Sequence, residues 1–190
     1  HTLAKALEGE LEDELDGEVR FDPLLRALYA TDASIYEIIP IGVAMPRSIE
    51  DVSKAVRICR EHGVSIIARG AGTGLTGGAV GSGLQLDLSR FLNHIGTFEP
   101  KALTIEVEPG VVLDELNAFL APHGLHFAPD VATASRATIG GMIANNSCGA
   151  HSIIHGQTVD HVLGLTVVMD DGEVVKTGRG PSNSPKPSPD

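Results

Sequence analysis

The sequence predicts a fold that mixes α-helices with β-strands. An amphipathic helix over residues 48–62 leads directly into an apolar strand over residues 64–68. Further along, the alternating segment 84–88 and the apolar segment 163–169 each have the pattern of a strand. The second of these ends in Asp170-Asp171-Gly172, which is typical of a hairpin turn. Strands that alternate with helices in this way favour an α/β core.

The other elements follow from short local signals. Leucine recurs at positions 3, 7, 11 and 15, which predicts an amphipathic helix whose acidic run, Glu8 to Glu18, faces solvent. Ser48 is a typical helix N-cap, and Gly63 is placed to end the same helix. The remaining predicted elements, in chain order, are a helix over residues 23–29, strands near 95–98 and 103–107, a helix over 113–120, a short helix over 139–145 capped by Thr138, and a strand over 173–176.

Size, charge and cysteine content exclude several classes of protein. The 190 residues are 42% hydrophobic and carry a formal net charge of −11. Nucleic acids and anionic membranes instead require clustered Lys and Arg, so neither is an expected partner. No apolar run approaches the ~20 residues that cross a bilayer. The two cysteines, Cys59 and Cys148, make no disulfide framework, so the expected location is the reducing cytoplasm.

The most informative segment of the chain is the glycine-rich run from Arg69 to Gly78, which follows the strand over residues 64–68. It contains five glycines in ten residues, so many backbone N–H groups are left uncovered by side chains. Glycine also adopts the positive φ values that turn successive N–H groups toward one point. This pattern predicts a site in which the backbone alone binds a diphosphate.

Two common phosphate-binding motifs do not fit this run. Gly72, Gly74 and Gly77 match the GxGxxG spacing of a Rossmann site, but that motif needs a helix to begin at the glycines. Here glycines continue to Gly83 and lead into a strand-like segment, and the acidic residue Asp87 comes too early for a ribose contact. No Gly-Lys-Ser/Thr follows, which excludes a P-loop. The sequence therefore predicts a strand, a glycine loop and a second strand.

A second segment rich in small residues extends from Ala137 to Gly149. Its helix start and its amide and hydroxyl side chains can bind carbonyl or phosphate oxygens. Glycines also allow a helix to pack tightly on a strand, and either segment alone is explained equally well in that way. The two segments together favour a long ligand with a diphosphate at one place and a polar ring at another.

The order of these motifs resembles that of the FAD-linked oxidase family, whose domain is also called the p-cresol methylhydroxylase or vanillyl-alcohol oxidase type. The resemblance covers about residues 28–178. Within the family, the sequence is most similar to the D-lactate, glycolate and D-2-hydroxyglutarate dehydrogenases, and Asn145 to His151 resembles a bacterial branch fused to iron–sulfur domains. The motifs that carry the resemblance are residues 46–52, 69–79, 108–111, 137–141, 145–151 and 156–162.

The resemblance implies an α+β fold in which FAD lies between two lobes. The first lobe is expected over about residues 28–100 and an incomplete second lobe over about residues 101–178. An acidic helical extension is expected over residues 1–27, and a disordered Pro/Ser-rich tail over residues 179–190. The implied cofactor-binding residues are Arg69, Gly70, Ala71, Gly72, Thr73, Gly74 and Leu75 in the first segment, and Pro129, Asp130, Ser135, Thr138, Gly140, Gly141, Asn145, Asn146, Gly149, Gly156 and Val162 in the second lobe.

The same resemblance implies a flavoenzyme that transfers hydride from a 2-hydroxy acid to FAD. Some relatives attach the flavin to a histidine in the first glycine loop, where this chain has Thr73, so we expect non-covalent FAD. Family members continue with a Glu-Gly-Thr-Leu-Gly-like segment and a cap domain. We therefore expect a fragment that is inactive alone, with the catalytic base and the pocket for the 2-hydroxy acid in the absent cap. The electron acceptor is left open, with iron–sulfur domains of a longer chain as one candidate.

Other functions and sites stay open at this point. A flavoenzyme of the same fold with another substrate, such as a sugar oxidase or a cell-wall reductase, has the same motifs, and a non-catalytic protein that has lost FAD keeps the fold. Cys148, His151 and His155 have a spacing that invites a zinc site, but no fourth ligand is nearby, so we expect no metal. Four residues ahead of the glycine run either approach the ligand or simply pack: Tyr29, Asp32, Ser34 and Tyr36.

Overall fold

The computed structural model describes residues 2–178, and in this part of the chain it contains six α-helices and eight strands. The predicted Pro/Ser-rich tail lies outside these residues. The helices are α1 (Thr2–Glu14), α2 (Pro23–Leu28), α3 (Ile49–Glu61), α4 (Leu113–Leu120), α5 (Ile139–Ala144) and α6 (Ser152–His155). The strands are β1 (Glu18–Arg20), β2 (Gly42–Met45), β3 (Ile66–Arg69), β4 (Leu84–Asp87), β5 (Ile95–Glu99), β6 (Thr104–Val107), β7 (Gly164–Val168) and β8 (Val174–Gly178).

The first lobe is built on a four-stranded sheet with the order β1-β2-β4-β3. β1 pairs antiparallel with β2, whereas β4 pairs in parallel with both β2 and β3. The crossover from β2 to β3 contains α3, and α3 begins as the sequence predicts, because Ser48 accepts a hydrogen bond from the N–H of Asp51 at 3.1 Å. The predicted helix and the strand that follows it are therefore present, whereas β2, which precedes the helix, was not predicted. β2 and β3, both parallel to β4, end at the same edge of the sheet.

The amino-terminal helix α1 lies in the core of this lobe. Leu7 and Leu11 are fully buried, and Leu15 and Val19 continue the same apolar face. They pack with buried residues of β2, α3 and β4. The sequence placed residues 1–27 outside the first lobe as an extension. The structure includes α1 and β1 in its core and sheet, because burying the leucine face removes apolar surface from water.

The second lobe begins with β5, a few residues before the expected boundary near residue 100, since β5 pairs antiparallel with β6 rather than with the first sheet. Its core is formed by buried residues of α4 and α5 and by Val111 and Ala137, with Phe98 and Ile105 of the β5–β6 sheet packed against them. Short 3₁₀ turns, residues 121–123 and 158–161, follow α4 and α6.

The hairpin of β7 and β8 packs its turn on the first lobe. Gly172, in the predicted Asp-Asp-Gly turn, has φ +84 and is buried against α3. The hydroxyl of Ser53 donates to the carbonyl of Gly172 at 2.5 Å. The hairpin predicted from the sequence is confirmed, and its contact with α3 brings the end of the described chain back to the first lobe.

Candidate functional site

The glycine loop, residues 70–83, connects β3 with its parallel neighbour β4. Gly72 and Gly77 have φ values of +67° and +76°. A Cβ at Gly72 would lie 2.8 Å from the guanidinium of Arg69, and a Cβ at Gly77 would lie 2.6 Å from the ring of Tyr36. Backbone conformation and lack of space both require glycine at these two positions.

The first nine residues of the glycine loop carry backbone N–H groups that are unpaired within the protein. Among the described residues 2–178, none accepts a hydrogen bond from the N–H groups of residues 70–78, whereas the next N–H group, that of Ala79, donates to Asp32. Within residues 2–178, a Cβ added at Gly74 or Gly78 would meet no atom within 4 Å, and Leu75 is 77% exposed. The loop therefore has free donors and open space at its middle, which suits an anion such as a diphosphate.

Arg69, at the end of β3, binds one residue of the glycine loop and two residues that precede β2. Its Nη1 donates to the carbonyl oxygens of Ala79 at 3.0 Å and Tyr29 at 3.3 Å, and its Nη2 donates to that of Thr31 at 2.8 Å. The guanidinium carbon also lies 5.0 Å from the centre of the Tyr29 ring. Three of the five N–H groups of this predicted cofactor-binding residue are thus used by the protein itself.

The segment 31–36 lies directly against the glycine loop. The N–H of Ala33 donates to the carbonyl of Gly72 at 2.9 Å, and the carboxylate of Asp32 accepts from Ala79 at 3.3 Å and from the N–H of Ser34 at 2.8 Å. Burial by itself would raise the pKa of Asp32, but the hydrogen bonds from Ser34 and Ala79 and the nearby Arg69 charge lower it below its ordinary value. Asp32 is therefore ionised at neutral pH and holds both segments together.

A hydrogen bond between Tyr29, two residues before this segment, and Asp87 connects this part of the chain to the end of β4. The hydroxyl of Tyr29 donates to Asp87 at 2.5 Å, and Asp87 also accepts from the N–H and hydroxyl of Ser89. Burial, and then the adjacent carboxylate, raise the pKa of Tyr29, which keeps its hydroxyl a donor at neutral pH. The sequence did not indicate this role for Asp87. The available signal was an aspartate at a strand end with serine two residues later.

The start of α5 uses its N–H groups inside the protein. Thr138 caps the helix as predicted, accepting from the N–H of Gly141 at 3.3 Å. Ile139 donates to the carbonyl of Val111 and Gly140 to that of Pro109, both at 2.8 Å. A Cβ at Gly140 would lie 2.6 Å from the Pro109 side chain. Gly140 and Gly141 were predicted to line the cofactor, and in the structure their N–H groups complete the helix start and its packing.

The two glycine-rich segments meet at Gly70 and Thr138. Gly70 lies so close to the hydroxyl oxygen of Thr138 that no side chain would fit between them. Gly110, in the turn before α4, is similarly close to the carbonyl oxygens of Leu88 and Leu92. The structure therefore brings the glycine loop of the first lobe against the start of α5 in the second, as a ligand bound by both segments would require.

Asp130 and Gly149 form a second close contact within the second lobe. The carboxylate of Asp130 accepts from the backbone N–H of His151 at 3.1 Å and is hydrogen-bonded to ring Nδ1 of His151. The ring and then the backbone hydrogen bond lower the pKa of Asp130. Gly149 packs against the carbonyl of Asp130 with no room for a side chain. These predicted residues are adjacent, and the carboxylate of Asp130 is occupied by His151.

The asparagines of the second segment contact nearby backbone and side chains. Asn145 donates to the carbonyl of Gly141, and Asn146, at φ +45°, donates to Gln157 and accepts from the N–H of Val159. Both asparagines are exposed.

The other predicted residues of the second lobe differ in exposure. Ser135, on the turn 132–136, is exposed, whereas Pro129 is buried. Gly156 ends α6 at φ +81°, and Val162 follows the 3₁₀ turn 158–161. The contacts of Gln157 with Asn146 and of the buried Thr158 with Ser147 were not predicted, because each spans 11 residues and follows no helix or strand period.

Other features of the described residues do not form a competing site. A groove of about 290 Å³ between α3 and the β7–β8 hairpin is lined by none of the predicted site residues. Within residues 2–178, no three His, Cys, Asp or Glu side chains are grouped to hold a metal ion. No helix of that range has the length and apolar character needed to cross a membrane.

The family described as FAD binding domain matches residues 40–178, so the chain belongs to this family of FAD-binding domains. The D-2-hydroxyglutarate dehydrogenase of Escherichia coli (strain K12) is 40% identical over 155 residues, which cover 80% of this chain and 15% of that protein. Glycolate oxidase subunit GlcD of Bacillus subtilis (strain 168) is 37% identical over 156 residues, which cover 80% of this chain and 33% of that one.

The fold is also found in a crystal structure of p-cresol methylhydroxylase with substrate bound, which superposes with a TM-score of 0.79 at 20% identity over 94% of this chain and 36% of that one. This likeness shows the fold alone. Together the comparisons confirm the resemblance drawn from the motifs and the mixed α+β fold that it implied. They also show that the chain spans only a small part of the length of the relatives that it matches.

The described residues fit the ligand that the family name implies. The row of unpaired N–H groups over residues 70–78 has the donors that a diphosphate needs, and a Cβ at Gly70 or Gly72 would collide with neighbouring side chains. The segments that fasten the glycine loop, Tyr29 to Asp32, precede the matched range 40–178. The site is therefore built partly from chain that the family match does not include.

Proposed function

We propose that this chain binds FAD without a covalent bond and forms the flavin-binding part of a dehydrogenase or oxidase that oxidises a 2-hydroxy acid. The observation that carries the proposal is the row of unpaired N–H groups over residues 70–78. Membership of the FAD-binding family supports FAD as the ligand. The names of the relatives, which refer to D-2-hydroxyglutarate and glycolate, support a substrate of the 2-hydroxy acid class.

The diphosphate of FAD would be bound by backbone dipoles of the glycine loop. The run 69–78 contains no lysine, and the chain as a whole carries a net charge of −11, so overall charge does not attract an anion. Hydrogen bonds to a charged group contribute about 1.5–3 kcal/mol each. A few of the N–H groups over residues 70–75 therefore suffice for tight binding, with Gly70, Ala71, Gly72, Thr73, Gly74 and Leu75 as the contributors.

The rest of the cofactor would lie along the second lobe, where the glycine loop meets α5. Thr138, Gly140 and Gly141 shape this surface, and their hydrogen bonds within the protein hold it in place. The exposed amides of Asn145 and Asn146 add polar groups beside it. The remaining proposed lining residues are Pro129, Asp130, Ser135, Gly149, Gly156 and Val162.

When bound, the flavin supplies a hydride acceptor for the α-carbon of the substrate, and the chain described here binds and orients it. Non-covalent binding rests on Thr73, which stands where some relatives have the histidine that attaches the flavin. The catalytic base, the substrate pocket and the electron acceptor, with iron–sulfur domains as one candidate, are proposed to lie outside this chain. A reducing, cytoplasmic location is proposed from the two free cysteines, Cys59 and Cys148.

The test measures flavin directly. Purified protein is denatured, and the released material is identified by absorbance and mass spectrometry; we expect FAD to separate from the polypeptide. Empty protein is then titrated with FAD by flavin fluorescence. ADP, which carries the diphosphate, should compete, whereas riboflavin, which lacks it, should not.

Flavin that stays on the denatured polypeptide would contradict the non-covalent proposal. The decisive negative result is obtained on a longer version of the same protein, since a missing partner segment can weaken binding. If that longer protein neither contains FAD nor takes it up, the proposed function is wrong.

A further inference from the structure

The run of unpaired N–H groups over residues 70–78 is followed by Ala79, and three side chains bind this residue. The carbonyl of Ala79 accepts from Nη1 of Arg69 at 3.0 Å and from Nε2 of Gln85 at 3.1 Å, while its N–H donates to Asp32 at 3.3 Å. Three side chains from three different segments therefore bind the two peptide groups on either side of the Ala79 Cα atom. We call Arg69, Asp32 and Gln85 the loop anchor.

Gln85 is the least expected member of the loop anchor. It lies in the central strand β4, between Val43 of β2 and Ile67 of β3, and it is 0% exposed. Its Nε2 donates to Ala79, but its Oε1 has no hydrogen-bond partner among the described residues. A buried amide with one unpaired atom lowers stability compared with an apolar side chain of similar shape. Stability alone therefore does not explain a glutamine at this position.

Arg69 connects the glycine loop to the segment that contains Tyr29 and Thr31. The loop begins directly after Arg69, and the guanidinium donates to the carbonyl of Ala79, ten residues along the chain, and to the carbonyls of Tyr29 and Thr31. A planar guanidinium with several fixed N–H directions can bridge three carbonyls at once, which the single ammonium of lysine cannot do in the same geometry. The hydrogen bond from the N–H of Ala33 to the carbonyl of Gly72 also holds the glycine loop against this part of the chain.

These contacts explain how nine consecutive N–H groups stay unpaired within the described residues. A flexible glycine segment would otherwise sample many backbone conformations, including ones that pair its own donors. Holding Arg69 and Ala79 fixes the path of the chain between them. It also lowers the entropy that the loop loses when a ligand orders it.

We infer that Arg69, Gln85 and Asp32 are positioning residues that preset the glycine loop for a diphosphate, and that Arg69 acts by bridging carbonyls rather than by contacting the phosphates. This inference rests on the proposed function for the identity of the ligand. The arrangement of the loop itself does not depend on any ligand and is tested separately.

The first experiment uses no flavin. Amide hydrogen exchange of the 190-residue chain is followed by NMR at Ala33 and Ala79, whose N–H groups are bonded to Gly72 and Asp32 only while the loop is docked. We expect Arg69→Lys and Arg69→Met each to speed exchange at both amides at least tenfold. Exchange in α3, for example at Ile58, should change less than threefold. Arg60→Met, which alters an exposed arginine of α3, is the matched control and should change neither.

The second experiment measures the affinity for FAD of the same variants, by flavin fluorescence. A positioning role requires the planar guanidinium that bridges three carbonyls, which neither lysine nor methionine has. The affinity for FAD should therefore fall at least 30-fold in both Arg69→Lys and Arg69→Met. A direct phosphate contact predicts that Arg69→Lys keeps most of the affinity, since lysine retains the charge. Gln85→Leu should lose about 5- to 10-fold in FAD affinity, while its midpoint of thermal unfolding stays equal to that of the unaltered protein or rises.

The outcomes separate this inference from the proposed function. Unchanged exchange at Ala33 and Ala79 in the folded Arg69 variants overturns the inference, as does near-normal FAD affinity of Arg69→Lys. If Arg69 variants do not fold, Gln85→Leu decides, because faster exchange at Ala79 in a stable protein supports the inference and unchanged exchange overturns it. If exchange responds as expected while no form of the protein binds FAD, the loop anchor stands and the proposed function fails.

Discussion

The two glycine-rich segments of this protein have similar compositions and opposite roles in the structure. Over residues 70–78, no backbone N–H group is hydrogen-bonded within the described residues. Over residues 139–141, the N–H groups are all bonded inside the protein, and Gly140 packs on Pro109. Glycine serves in the first segment to expose the backbone and in the second to let two backbones approach. Glycine content therefore indicates a close approach without saying whether the neighbour is a ligand or the protein.

The comparison predicts that a side chain in the first segment impairs binding. In Gly72→Ala, the residue must keep a positive φ, and its Cβ collides with Arg69. Strain of this kind amounts to about 1–3 kcal/mol, so FAD affinity should fall by about 5- to 150-fold. Fluorescence titration measures the loss.

The matched control for this variant is Gly74→Ala, because a Cβ there meets open space. Its affinity for FAD should stay within about threefold of the original, less than the tenfold that 1.4 kcal/mol represents. Equal losses in the two variants would mean that loss of glycine flexibility, rather than the shape of the loop at Gly72, determines binding.

A side chain in the second segment should instead impair stability. In Gly140→Ala, the new Cβ would lie 2.6 Å from the side chain of Pro109 and 2.9 Å from its carbonyl oxygen, which belongs to the backbone and cannot easily move. Overpacking of this kind costs about 1–3 kcal/mol, more than the ~1 kcal/mol that alanine gains over glycine in a helix. Urea unfolding should show a lower free energy of unfolding.

Gly141→Ala is the control here, since within residues 2–178 its added Cβ would have one close neighbour outside the helix backbone, the hydroxyl oxygen of Thr138 at 3.2 Å. We expect its free energy of unfolding to lie within about 1 kcal/mol of the original, because helix propensity offsets the contact. A Gly140→Ala protein of undiminished stability would remove the contrast between the two segments.

The smallest expected effect concerns the pair of Asp130 and His151 in the second segment. Hydrogen bonding to His151 lowers the pKa of Asp130 in the folded protein below the ordinary value of 3.8. The stabilisation is thus complete above pH 3.8 and is lost as the pH falls through the folded pKa. The unaltered protein should lose slightly more stability than Asp130→Asn between pH 5 and pH 3 in urea unfolding. The pair is exposed, so the difference is small. Parallel pH profiles would show that the pair contributes nothing.

Much of the fold could be predicted from local sequence. Ser48 and Thr138 cap the helices that they were expected to cap, and the Asp-Asp-Gly turn forms the expected hairpin. These features depend on contacts within a few residues, which a pattern reveals. The position of α1 in the first core was not predicted, because its acidic face suggested solvent while its partners in α3 and β4 lie far along the chain.

The candidate site, like the fold, has features that the sequence predicted and features that it did not. The sequence by itself identified the glycine loop, because its composition limits what the backbone can do regardless of surroundings. Only the tertiary structure showed that its N–H groups stay unpaired, that Arg69 and Gln85 meet at Ala79, and that Gly140 contacts Pro109. Each of these depends on which distant segments occupy the space around a residue. The spacing of residues along the chain does not predict that arrangement, because it results from packing among segments that are far apart in the sequence.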